Sequence, residues 1–85
     1  MAKTFFPNDK QTIFVDASTP HPENTQYKIS IGLEHWGNSN HEVVKVQMVY
    51  KGKISGRRSP SYPIGTDDFQ RVMKKVNELT LNRNQ

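Results

Sequence analysis

No cysteine occurs in the 85-residue chain. Disulfides and thiolate metal sites are therefore excluded as sources of stability, and the disulfide-rich secreted class is excluded with them. Long apolar runs are missing too. No stretch approaches the roughly 20 residues of a membrane span. The only early apolar patch, Phe5-Phe6 within MAKTFFPNDK, is too short for the core of a signal peptide. The expectation is a soluble intracellular protein, cytoplasmic or nucleoid-associated, with no membrane partner. Hydrophobic residues make up only 33% of the chain. A domain this small buries a low fraction of its surface, so help from a partner is expected, most simply from a second copy of itself.

Signatures of catalysis are equally scarce. There is no glycine-rich phosphate loop and no ligand cluster at metal-binding spacing. His35 and His41 flank a turn without a third ligand at fixed distance. Asp67 and Asp68 are adjacent, so on a helix they diverge and serve as dipole acids rather than as a catalytic pair. Ser55, Ser59 and Ser61 lie near basic groups, but nothing marks a base that would activate them. The chain reads as a non-enzyme without cofactor, metal or small-molecule substrate.

Acid is the third shortage, and it is local. The formal net charge is +4, yet residues 43–66 hold Lys45, Lys51, Lys53, Arg57 and Arg58 with no Asp or Glu among them. Four of these fall within the eight positions 51–58. A solvated, self-repelling face is one reading of such a run. An anionic partner is the other.

Around these absences the element pattern is clear. Residues 1–10 read as a flexible arm, residues 11–81 as a single domain and residues 82–85 as a disordered tail. A short strand is expected over 11–16. A loop rich in proline and turn formers follows, STPHPENTQ. In YKISIGLEHW, Tyr27, Ile29, Ile31 and Leu33 share one face, while Lys28, Ser30, Glu34 and Trp36 share the other. A turn at GNSN (37–40) leads into HEVVKVQMVYK, which alternates in the same way. The two segments should form an antiparallel hairpin. Pro60 and Pro63 cannot donate ladder hydrogen bonds, so the segment around them is an edge strand or irregular. TDDFQRVMKKVNELTL is a helix with Thr66 as N-cap, acids in its first turn, and a stripe of Phe69, Val72, Met73, Val76, Leu79 and Thr80. Leu81 lies off that stripe, either frayed or against a partner subunit. The fold class is α+β: an antiparallel sheet of four to five strands, then one C-terminal amphipathic helix that covers one sheet face.

The face left open would carry Lys28, Ser30, Trp36, Lys45, Gln47 and Lys51, with Lys53, Arg57 and Arg58 extending its charge. Cations that track phosphates, together with an exposed ring that stacks on bases, are what single-stranded nucleic acid binding requires. Duplex readers place a helix in the major groove, and this helix is committed to the core. The bland alternatives are Trp36 as a lid on a small core, the lysines as the wet side of a sheet, and Tyr62 packed under the helix. A rival reading from another class is an interaction module that docks an acidic protein with the same charges and no stacking.

The ordered set KISIGLEHW, VVKVQMVYKGKISGRR and YPIGTDDFQRVMKKV, over about residues 27–81, resembles the DNA-binding domain of the transcriptional coactivator positive cofactor four and its small bacterial and phage homologues. In that family a glycine with basic residues precedes a short apolar strand and a helix with an aromatic in its first turn. The counterparts here are Gly56-Arg57-Arg58, residues 62–64, and Phe69. The resemblance implies a homodimer of curved antiparallel sheets, with helices at the interface (here Phe69, Val72, Val76, Leu79 and Leu81). It also implies sequence-tolerant binding of single-stranded DNA, or of melted duplex, along two channels. It places Trp36 on the bases and Lys28, Lys45, Arg57 and Arg58 on phosphates. Transcription, replication or recombination would be the setting, with proteins of those processes as further partners. The first 26 residues have no counterpart in the family.

Overall fold

Alternation along two long segments builds the centre of the sheet. The computed structural model describes residues 4–83 and contains β1 (Phe5–Asp16), β2 (Thr25–Trp36), β3 (Ser39–Tyr50), β4 (Lys53–Ser55) and α1 (Asp68–Arg83). The strands form one curved antiparallel sheet in the order β1-β2-β3-β4, so the architecture is α+β with four strands. β2 and β3 pair without interruption from Thr25↔Tyr50 to Trp36↔Ser39. The loop between them is therefore only Gly37-Asn38, shorter than the GNSN composition suggests, and Gly37 takes φ +66° in it. Lys51 (φ 52°) and Gly52 (φ 82°) close the β3–β4 turn; two positive φ values in a two-residue loop match the right-handed strand twist.

One parity of each strand meets the helix. Val15, Tyr27, Ile29, Ile31 and Met48 pack with Val72 and Leu79 of α1, and Ile13, Val46, Tyr50, Tyr62, Met73 and Val76 flank them. The apolar stripe of α1 thus follows the 3.6-residue repeat, and the sheet supplies its complement. Tyr62 does pack here: it stacks on Tyr27 (centroids 5.1 Å) and meets Phe69 edge-on (5.3 Å).

Several boundaries differ from the sequence expectation. β1 begins at Phe5, so residues 5–10 are strand and not arm; residues 1–3 lie outside the described residues. The physical reason is a bulge. Between the pairs Pro7↔Gly32 and Thr12↔Ser30, β1 spends five residues against two of β2. The polar excursion NDKQ hides the alternation. Asn8 holds it together: its Oδ1 accepts from Lys10 N (3.0 Å), and its carbonyl accepts from the Thr12 hydroxyl (2.8 Å). Gly32 is required where β1 crosses, because a Cβ there would lie 2.4 Å from the Phe6 carbonyl oxygen and 2.7 Å from Pro7 Cα. At the other end α1 continues to Arg83, so the tail does not start at residue 82; residues 84–85 lie outside the described residues.

The short apolar strand that the resemblance implies at 62–64 is not formed; of the two courses the prolines allow, edge strand or irregular, the segment takes the irregular one. Residues 56–67 are irregular, and Ile64 is fully exposed. Pro60 and Pro63 remove two ladder donors there, and Tyr62 turns inward to the core instead. The N-cap also moves by one residue. The Asp67 carbonyl accepts the first helical bond, from Arg71 N (2.9 Å), while the Thr66 hydroxyl accepts from Asp68 N (3.3 Å) one residue earlier in the turn.

Candidate nucleic-acid interface

The sheet face away from α1 is set by register. Phe14, Lys28 and Gln47 lie in one cross-strand row, Thr12, Ser30 and Lys45 in the next, and Glu34 opposite His41 further along, with Trp36 and Ser39 closing the hairpin end. Lys28 is only 9% exposed and makes no ion pair among the described residues. Ser30, its neighbour on the same face, is fully buried, so two of the residues expected to be open to solvent are covered.

Trp36 stands half exposed at the hairpin end, with its ring stacked on His41 (centroids 3.7 Å, 17° between planes). The Ser39 hydroxyl lies 3.2 Å from His41 Nε2 and steadies that imidazole. One indole face is thereby covered and the ring orientation is held. The opposite face can continue the stack. Trp36 is therefore not a lid on the core. His35 and His41 emerge on opposite sheet faces, because Glu34 is the residue opposite His41 and His35 is opposite Asn40.

Lys45 is less free than its local sequence suggests. It forms an ion pair with Glu34 and lies over the Phe5 ring (5.2 Å to the centroid). Counting charge along the chain missed Glu34, which reaches Lys45 diagonally across the β2–β3 ladder. Phe5, at 6% exposure, is the buried floor beneath this pair.

The remaining cations do not extend the same face. Lys53 lies opposite Tyr50, on the helix-side parity, and Lys51 sits in the β3–β4 turn. Arg57 is exposed in the irregular segment and makes no ion pair among the described residues. The Arg58 guanidinium lies over the Tyr50 ring (5.6 Å) at the rim of an open groove of about 770 Å³, which His21, Tyr50, Ser61 and Tyr62 also line. The structure thus divides the predicted basic track. Lys28, Lys45 and Trp36 share the open face, Lys53 and Arg58 belong to the helix side, and Lys51 and Arg57 lie at the β4 edge between them.

Of the helix residues expected at an interface, Val72 and Leu79 are consumed by the chain's own core, and Val76 packs against it. Phe69 and Leu81 remain exposed. The region between β1 and α1 is held by Asp68, whose carboxylate is fully buried. It accepts from Ser18 N (2.9 Å), the Ser18 hydroxyl (2.6 Å), the Tyr27 hydroxyl (2.8 Å) and Arg71 Nη2 (2.6 Å). Burial alone would raise its pKa; these donors outweigh burial and hold it well below the usual carboxylate range. Tyr27 is pushed up in turn, by burial first and then by donating to Asp68.

Sequence reasoning missed Phe14, which is half exposed on the open face beside Lys28, and His41 as the support of Trp36. Phe14 was legible from its parity against Ile13 and Val15; the stack on His41 required knowing the two-residue turn. No family model, curated protein or solved structure matches the chain.

Proposed function

We propose that the chain is a sequence-tolerant single-stranded DNA-binding protein that uses the open sheet face and acts as a homodimer. The observation that carries this is the joint presence, on one face, of the half-exposed indole of Trp36 and two lysines, Lys45 and the more buried Lys28, which makes no ion pair among the described residues. Stacking contributes about 1–3 kcal/mol per base and tolerates any sequence, and the cation holds the phosphate that follows. Lys45 joins when phosphate competes with Glu34. Lys51 and Arg57 draw the strand toward the β4 edge as a positive rim, and Lys53 and Arg58 on the helix side add only to the long-range field. A duplex is disfavoured as ligand, because its bases are already stacked and the one helix is packed on the core. Transcription, replication or recombination is the setting, in keeping with the resemblance to the positive cofactor four family.

The test is tryptophan fluorescence, since Trp36 is the only tryptophan. Titration with oligothymidylate should quench it, and Trp36→Ala should weaken binding roughly 5- to 100-fold with unchanged thermal stability. Unaltered affinity in Trp36→Ala would remove the indole from the site. Quenching by an acidic protein but not by the oligonucleotide would favour a protein-docking module instead.

A further inference from the structure

We infer that Phe14 is a second base-stacking platform, so that one sheet face holds a strand between Trp36 at the hairpin end and Phe14 near the other. This rests on the single-strand reading above and fixes the path of the strand within it. The observations are positional. Phe14 is directly opposite Lys28, on the parity that turns away from the core, while its neighbours Ile13 and Val15 turn toward α1. Phe14 is 52% exposed although it sits in the regular, paired half of β1. Two exposed aromatic rings, Phe14 and Trp36, are therefore presented on this face; Phe5, the third ring on it, is buried beneath Lys45.

Burial does not account for Phe14, because the core lies on the other side of the sheet. Edge protection does not account for it either: a strand edge is guarded by charge, proline or a bulge, and β1 carries Pro7 and the bulge for that purpose. What a flat exposed ring on a basic sheet face can do is receive a base, while cations of that face hold the phosphates that follow. Lys28 lies in the same row as Phe14 and eight residues of β2 from Trp36. Eight residues of strand span roughly 26 Å. A strand stacked as in a duplex, at about 3.4 Å per nucleotide, needs about eight nucleotides to reach from one ring to the other, and a stretched strand needs fewer.

The experiment is a length series of oligothymidylates against the full chain, its Phe14→Ala variant, and a reporter carrying Phe14→Trp with Trp36→Phe. The expected result is that Phe14→Ala binds a strand of about ten nucleotides roughly 5- to 100-fold more weakly, yet binds a strand of about four nucleotides within about twofold of the parent. The reporter should be quenched by the longer strand. Circular dichroism separates lost binding from lost folding, and should Phe14→Ala fail to fold, the reporter decides alone. Equal affinity of Phe14→Ala and parent for the longer strand, or an unquenched reporter that still binds it, overturns the inference and leaves the single-strand reading standing. A parent chain that binds no strand of any length overturns both.

Discussion

At the scale of single residues, Asp68 does more than its place in the first helical turn announces. As a helix-dipole acid it would contribute a few tenths of a kcal/mol. As a fully buried acceptor of four donors it ties the β1–β2 loop, β2 and α1 to one point. Ser18 and Tyr27 stand 50 and 41 positions away in sequence, so no local pattern could reveal the cluster. Because the folded carboxylate titrates below its unfolded value, the unfolded chain binds the extra proton as pH falls. The contribution of Asp68 is therefore complete above the unfolded value of about 3.9 and is lost progressively below it. Asp68→Asn presents an amide to donors that need an acceptor. It should cost about 2–4 kcal/mol at neutral pH and flatten the fall of stability between neutral and acid. Urea unfolding of both chains across that range measures this, and parallel curves would show that the carboxylate charge carries no stability.

At the scale of elements, one helix is too narrow for the sheet it covers. Leu33 and Val44 share the helix-side parity with Ile31 but are about half exposed, and Phe6, opposite Leu33, is likewise uncovered. In the proposed homodimer these residues, with Leu81 at the end of α1, would supply the apolar surface, in place of Val72 and Leu79, which the chain's own core consumes. Light scattering should give about twice 9.8 kDa for the parent, and Leu33→Lys should halve that mass without unfolding the chain. A parent mass of one chain at tens of micromolar would remove the dimer. The same elements mark how far the sequence could be read. The β2–β3 hairpin and α1 were legible, because each keeps one period along its length and each buries one parity or stripe. The first half of β1 was not, since the polar NDKQ inserts bulge residues that only the partner strand can count. The segment 62–64 was legible in part: its prolines allowed an edge strand or an irregular course, and Tyr62 under the helix was one of the readings, while the short strand there came only from the resemblance.

At the scale of the whole molecule, a formal charge of +4 is modest, and its distribution matters more than its size. Along the chain the basic run looks continuous. In space it separates into an open face with Lys28 and Lys45, a helix side with Lys53 and Arg58, and an edge between them. Ring placement was partly readable: Trp36 from its position before a turn, but not its seat on His41, which needs the register of Trp36 opposite Ser39. The reading therefore stands on rings and cations sharing one surface rather than on charge alone. The measurement that tests it most directly is fluorescence anisotropy of a labelled strand of about 20 nucleotides, and of its duplex, titrated with the chain at two salt concentrations. Single strand bound in preference to duplex, with affinity that falls as salt rises, is the predicted result. Equal or stronger binding of the duplex, or no binding to either at low salt, would contradict it.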